Sequence, residues 1–298
     1  MQFFFEVLIG GLLSGVMYSL VALGFVLIYK ASGVFNFAQG SMVFFAALTF
    51  VGLQQETGLS VWLALPLTLI VMVILGLLIE RLVLRPLVNQ PQISLFMATI
   101  GLSFLIEGVA QMLWGASPRA LELGVEDQPF AWLMDKTGLN VSQFDLLAAV
   151  VSGVLVGTLA VFFQRTRIGR ALRAVADDHQ AALSIGIPLQ QIWAIVWSVA
   201  GFVALVAGLM WGARNGVQFA LTFTALKALP VLILGGFESI PGAIVGGLII
   251  GASEKLAEVY IGPFVGGGIE GWFPYVLALL FLLVRPEGLF GEKRIDRV

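Results

Sequence analysis

The side chains best placed to do chemistry gather in one stretch, residues 164–191, reading QRTRIGRALRAVADDHQAALSIGIPLQQ. It holds Arg165, Arg167, Arg170, Arg173, Asp177, Asp178 and His179, the last being the one histidine of the chain. Arg170, Arg173, Asp177, Gln180 and Ser184 recur at helical spacing, with Leu172, Val175, Ala176, His179 and Leu183 on the opposite face. That pattern predicts an amphipathic helix of about four turns, closed by Gly186 and Pro188. Its chemistry is charge-assisted hydrogen bonding to another surface, because guanidinium forks and a carboxylate on one exposed face form pairs that lipid does not provide. The arginines alone also fit a plain loop lying on lipid headgroups.

A second group of polar residues sits among apolar neighbours. Residues 33–41, GVFNFAQGS, place Asn36, Gln39 and Ser41 beside two glycines. Amides at this depth are costly against hydrocarbon unless partnered, so the backbone here should face protein or a water-filled cavity. A tight helix–helix turn capped by Asn36 is the alternative. Residues 227–236, KALPVLILGG, carry Lys227, Pro230, Gly235 and Gly236, and an interrupted span of this kind exposes backbone groups that suit a solute pathway. Ionisable groups inside apolar stretches are few: Glu107, Lys227 and Glu254. Glu107 either faces the bundle interior or lies near the outer interface by Trp114. With no cysteine and one histidine, disulfides, metal sites built on thiolates or histidines, and histidine-based catalysis all lack material, and no cofactor site is expected.

The elements that must position these groups are membrane helices. Hydrophobic residues make up 59% of the 298 and charged residues 11%, with mean hydropathy +0.99, whereas a soluble domain carries about 25% charged residues. The chain is therefore read as an all-α, polytopic integral membrane protein whose outer solvent is lipid. A net charge of −2 argues against nucleic acid. Apolar stretches at 7–29, 44–53, 61–79, 93–114, 146–163, 192–213, 223–237, 243–253 and 271–284 give about eight or nine crossings, some short or broken. The first has no basic residue ahead of it and no A-x-A site after it, so it reads as a retained helix and not a signal. Lys30, Arg81, Arg85, the arginines of 164–191, and a tail bearing Arg285, Lys293, Arg294 and Arg297 mark the cytoplasmic side. The N-terminus is then periplasmic and the C-terminus cytoplasmic. Residues 115–144, with Glu122, Glu126, Asp127 and Asp135 against Arg119 and Lys136, fit the outer side.

An internal echo runs through the chain. Val21-Ala22-Leu23 is followed by Gly33-Val34-Phe35-Asn36-Phe37-Ala38, and Val203-Ala204-Leu205 by Gly216-Val217-Gln218-Phe219-Ala220. The first helix runs inward and the later one outward, as an inverted repeat within one domain requires.

Four segments then carry a resemblance. They are 34–41 with its N-F-A-Q-G core, 166–187 with G-R-A-L-R-A-x-A-x-D followed by A-A-x-x-x-G-I, 235–247 reading GGFESIPGAIVGG, and 285–291 reading RPEGLFG. Together, and in order, they resemble the branched-chain amino-acid (LIV-type) permease family of bacterial ABC importers. Residues 180–186 are similar to the E-A-A-x-x-x-G core of the cytoplasmic coupling loop in ABC importer permeases, with Gln180 in place of Glu and no later I-x-L-P. The resemblance implies one permease domain over 1–298 with its coupling loop at 164–191, in the bacterial inner membrane. It implies pairing with a second, related permease, two cytoplasmic ATPases below and a periplasmic binding protein above, so that this chain is not itself an enzyme. The solutes implied are branched-chain or other amino acids, with urea, short amides or another small metabolite as the alternative. A carrier working alone would show more ionisable groups deep in its spans. On this reading Arg170, Arg173, Asp177, Gln180 and Gly186 meet the ATPase, and Asn36, Gln39, Ser41, Pro230, Gly235 and Gly236 line the pathway.

Overall fold

The computed structural model describes residues 2–87, 90–125, 127–177 and 179–291, with only the backbone of Asp177, His179 and Gln180. Glu126, Asp178, Lys293, Arg294 and Arg297 lie outside the described residues. In chain order the α-helices are α1 (Gln2–Ser32), α2 (Gln39–Thr57), α3 (Val61–Ile79), α4 (Gln92–Trp114), α5 (Ala131–Thr137), α6 (Gln143–Arg165) and α7 (Arg167–Asp177). They continue with α8 (His179–Ser184), α9 (Leu189–Asn215), α10 (Ala220–Leu226), α11 (Ala228–Gly235), α12 (Ile240–Tyr260), α13 (Gly262–Val265) and α14 (Phe273–Val284). A π-helical turn, Glu80–Leu84, extends α3. Among the described residues the only extended pairings are two isolated bridges, Arg119 with Val217 and Pro129 with Ser142.

Every apolar stretch marked out by the sequence is helical, as an all-α membrane protein requires when its backbone must satisfy itself. Among the described residues six helices are long and apolar enough to cross a membrane: α1, α3 continued to Leu87, α4, α6, α9 and α12. The apolar Ala220–Gly235, which is α10 with α11, and α14 are shorter. The second stretch is longer than its apolar run: α2 takes in Gln39, Gly40 and Ser41 at one end and Gln54 to Thr57 at the other. Its first fourteen residues, Gln39 to Gly52, are all buried, so protein and not lipid surrounds this helix and its polar ends find partners there.

The chain gathers into two compact units, neither continuous in sequence. One comprises residues 27–123 and 157–226. Here α2 is the central helix, packed by α9, α4, α3 and α10. Glycines set the close approaches. A Cβ at Gly208 of α9 would sit 2.6 Å from the Val43 carbonyl oxygen, one at Gly201 would sit 2.8 Å from that of Met72, and one at Gly76 would sit 2.8 Å from that of Trp197. The outer strap of 115–123 is pinned to the α9–α10 connection, with Arg119 and Val217 exchanging N–H···O bonds of 2.9 and 2.8 Å, and Arg119 pairs with Glu56 at 2.6 Å.

The other unit comprises residues 1–26, 124–156 and 227–298. Its α12 packs on α11 and α14, and against α1 through small residues. A Cβ on Gly11 would lie 2.7 Å from the Gly251 carbonyl oxygen and one on Gly15 only 2.5 Å from that of Gly247. Ser19 Oγ donates to the Gly15 carbonyl at 2.9 Å and lies 3.3 Å from that of Ile244. This is the small-residue packing that joins helices when lipid removes any hydrophobic gain from association. Gly10 and Gly11, side by side on α1, make the test. Gly11→Leu should cost about 1–3 kcal/mol through overpacking, lowering the Tm of the detergent-solubilised protein by several degrees. Gly10→Leu should leave it unchanged, because a Cβ there meets nothing within 4 Å.

Candidate functional site

The segment between α1 and α2 breaks at Gly33, whose φ of +68° is left-handed. The residues after it are held by side chains. Asn36 Oδ1 accepts from the Ala38 N–H at 3.1 Å, an Asx turn ahead of α2, and Asn36 Nδ2 donates to Gln39 Oε1 at 3.4 Å. Gln39 Nε2 in turn reaches the Ala200 carbonyl on α9 at 3.4 Å. Thr99 of α4 closes the bend from the other side, its hydroxyl 2.9 Å from the Phe96 carbonyl of its own helix and 3.2 Å from that of Phe35, while its oxygen accepts from the Phe37 N–H at 3.4 Å. Asn36, Gln39 and Ser41 are fully buried, and the break faces protein on the sides where these bonds run. Asn36 is not the helix cap: Ala38 holds that position and makes no side-chain cap bond.

Ser41 also resolves the place of Glu107. Its hydroxyl donates to Glu107 Oε1 at 2.7 Å, and the carboxyl lies inward, 8% exposed. Glu107 therefore faces the protein interior and not lipid. Removing the hydroxyl leaves a buried carboxyl short of a donor, a loss of about 1–3 kcal/mol. Ser41→Ala should lower stability by that amount, and in the Glu107→Gln background the same change should cost less, a coupling that a double-mutant cycle on Tm reads directly.

The arginine-rich loop forms α7 and α8, with residue 178 between them outside the described residues. Leu172 and Val175 are buried, on the face the periodicity assigned them. Leu183 is not: it is 54% exposed, and Ile185 beside it is 73% exposed. The loop therefore ends in an uncovered apolar patch. Helix α8 closes in a Schellman motif, the Ile187 N–H reaching the Ala182 carbonyl and the Gly186 N–H that of Leu183, both at 3.0 Å. Gly186 is needed for its φ of +84°, with open space where a side chain would point. Arg170 is exposed. Arg173 turns back, its guanidinium donating to the Phe163 carbonyl at 2.8 Å and to that of Gln164 at 3.3 Å, so it caps the end of α6. The side chains of Asp177 and Gln180 lie outside what is described. A cleft of about 300 Å³ opens beside the patch, lined by Glu80, Arg85, Leu183, Pro188, Gln190 and Trp193 among others. In it the Arg85 guanidinium grips the buried Glu80 carboxylate through contacts of 3.2–3.3 Å.

In the other unit, the interrupted span breaks at Lys227. Pro230 has no N–H and its ring excludes the carbonyl four residues back, so α10 stops at Leu226 and α11 restarts with the proline in its first turn. Pro230, Gly235 and Gly236 are buried. The tail returns to this helix end: the Leu289 N–H donates to the Leu234 carbonyl at 2.8 Å and the Phe290 N–H to that of Gly235 at 3.2 Å. Backbone freed at the end of α11 is thus satisfied by the chain's own C-terminal strap.

Two of the three membrane-depth ionisable residues are partners. Lys227 Nζ lies 2.9 Å from Glu254 Oε1, and the Tyr18 hydroxyl donates to the same oxygen at 3.2 Å. The next residue of α12, Lys255, pairs with Glu270 of the connection ahead of α14 at 2.9 Å, and that hydrogen bond holds the Glu270 carboxyl below the usual carboxylate range. Neither link was visible in the sequence, because residues 27 and 236 positions apart carry no spacing signal. The strap contacts of Leu289 and Phe290 were equally hidden, although the RPEGLFG run that makes them stood out.

Residues 7–285 match the family described as branched-chain amino acid transport system / permease component. The chain is 27% identical over 311 residues to the high-affinity branched-chain amino acid transport system permease protein LivH of Salmonella typhimurium, covering 99% of this chain and 98% of that protein. It is 29% identical over 306 residues to the corresponding protein BraD of Pseudomonas aeruginosa, at the same coverage. It is also 24% identical over 244 residues to the ribose import permease protein RbsC of Escherichia coli, covering 78% of this chain and 72% of that one. With its broken amide-bearing segment, proline-split span and exposed basic loop, this chain belongs to the branched-chain amino acid transport permease family.

Proposed function

We propose that the chain forms the solute route of an ATP-driven importer for branched-chain or other amino acids in a bacterial inner membrane. The observation that carries this is the near end-to-end similarity to LivH and BraD, permeases named for that transport. The whole of 1–298 acts as one permease domain, N-terminus periplasmic and C-terminus cytoplasmic. It pairs with a second homologous permease, while two cytoplasmic ATPases supply the hydrolysis and a periplasmic binding protein delivers the solute. The similarity to a ribose permease supports a second reading, in which the route carries another small metabolite such as a sugar, urea or a short amide.

The loop of 164–191 is the ATPase contact in this reading. Arg170, Asp177 and Gln180 provide its polar face, Arg173 fixes the corner from which the loop leaves α6, and Gly186 sets the turn that ends it. Support comes from the exposed guanidinium of Arg170, the uncovered Leu183 and Ile185, and the cleft beside them. Reconstituted with its partner permease, ATPases and binding protein, the chain should take up leucine, isoleucine or valine in preference to urea and ribose. Arg170→Glu should leave insertion and permease pairing intact but abolish stimulation of ATP hydrolysis by the loaded binding protein. Normal stimulation in that variant would remove the loop from the docking surface.

Asn36, Gln39, Ser41, Pro230, Gly235 and Gly236 edge the route. What supports this is that backbone breaks of the apolar chain fall there, and broken helix at membrane depth occurs where it is buried in protein or lines a solute cavity. Because these residues are buried at rest, access to them is tied to turnover. The native chain has no cysteine, so Asn36→Cys and Gln39→Cys should react with a water-soluble thiol reagent faster during ATP-driven uptake than at rest, with uptake falling as labelling proceeds. Equal protection at both positions in every state, with uptake intact, would place the route elsewhere.

A further inference from the structure

The Lys227–Glu254 pair is incomplete in a way that specifies a ligand. Glu254 is 2% exposed on α12, between Ser253 and Lys255, and the lysine is itself paired with Glu270. Its Oε1 is taken by both Lys227 and Tyr18, but its Oε2 is buried and has no hydrogen-bond partner among the described residues. An unpartnered oxygen on a buried carboxylate is expensive to keep, and apolar residues of similar size would often be as stable as a buried ion pair. On the other side of the pair, the ammonium of Lys227 uses one of its three donors on Glu254, its one hydrogen-bond partner among the described residues. The lysine side chain keeps 18% of its surface exposed, at the point where α10 gives way to α11. One ion pair thus offers a spare acceptor and spare donors together, beside a helix break that can yield without rupturing a ladder of backbone hydrogen bonds.

We propose that this pair is a transient site for a zwitterionic α-amino acid on its way through the chain. The solute carboxylate accepts from Lys227 Nζ, and the solute ammonium donates to Glu254 Oε2, with Tyr18 holding Oε1. One salt bridge opens into two, so no net charge is added to the apolar interior and the orphaned oxygen gains its donor. A neutral sugar or urea satisfies neither charge as an ion would. The inference rests on the amino-acid reading above and names the groups that would recognise that class.

The test uses the complete complex in proteoliposomes, with binding protein loaded with radiolabelled L-leucine, reading leucine moved per ATP hydrolysed. The paired variant Lys227→Met/Glu254→Gln removes both charges. It should assemble and hydrolyse ATP as the wild type does, while leucine moved per ATP falls about ten- to a hundredfold, the loss expected of charge-assisted hydrogen bonds. An unchanged ratio would make the pair a structural bridge and overturn the proposal. Should the paired variant fail to assemble, Lys227→Arg and Glu254→Gln decide. The first keeps the charge and should stay within about threefold of wild type, and the second should fall about tenfold or more. Loss in Lys227→Arg, or retention in Glu254→Gln, overturns the site. A wild-type complex that moves no leucine rejects the amino-acid reading and this site with it. A wild type and paired variant that move leucine equally reject the site alone.

Discussion

Every polar atom that enters hydrocarbon must find its partner inside the protein, and the arrangement of this chain follows from that single demand. Regular helix meets it automatically, which is why the apolar stretches are helices. The exceptions then fall under strict accounting. At 33–41 the backbone leaves the helix for a few residues; an Asx turn of Asn36 and the Thr99 hydroxyl cover backbone freed there, while Asn36, Gln39 and Ser41 satisfy their own side chains on one another, on Ala200 and on Glu107. At 235–236 the same demand is met by backbone alone, through the strap of Leu289 and Phe290. The two breaks differ in how firmly they are tied. The first is bonded to helices far away in sequence, and the second to the residues that follow α14.

Helix association obeys a related logic. Lipid tails leave nothing to be gained by hiding apolar surface, so contacts are made by letting backbones approach, and only glycine allows carbonyl oxygens this near. Gly11 and Gly15 meet α12 in this way, and Gly201 and Gly208 meet α3 and α2. Surfaces without interlocking side chains resist separation less than a core of interdigitated leucines does, while their spacing remains sharply defined.

Much of the fold was legible because hydrophobic length and charge placement are dictated by the bilayer, and both are written locally. Each apolar run became a helix, and Gly186 and Pro188 ended the amphipathic loop as their backbone preferences require. What could not be read is what depends on a neighbour distant in sequence. The apolar run of 44–53 understated α2, because Gln39 and Ser41 are helical only when Ala200 and Glu107 wait to receive them. Leu183 was placed on the apolar face by its period, yet stands exposed because none of the described residues covers α8 there. Arg173 followed the period of an exposed face and yet bends onto α6, since its reach exceeds the pitch that periodicity assumes. Lys227 and Glu254 looked like isolated charges for the same reason.

The ionic pairs separate into two kinds once their completeness is compared. Arg85 grips both oxygens of Glu80, and the cation keeps 41% of its side chain exposed while the carboxylate is buried, so this pair secures the π-helical turn that ends α3 at modest desolvation cost. Arg119 keeps 14% of its side chain exposed and its partner Glu56 46%, beside a backbone bridge that already fixes the outer strap. In both pairs one partner reaches solvent well enough to be screened there. Lys227 and Glu254 stand apart. Burial raises the cost of their charges, with 18% of the lysine and 3% of the glutamate side chain exposed, and one oxygen has no partner among the described residues. A pair kept only for stability would be under pressure to complete its bonds or to give way to apolar residues. Remaining charged and unfinished makes sense where the missing partner arrives and leaves.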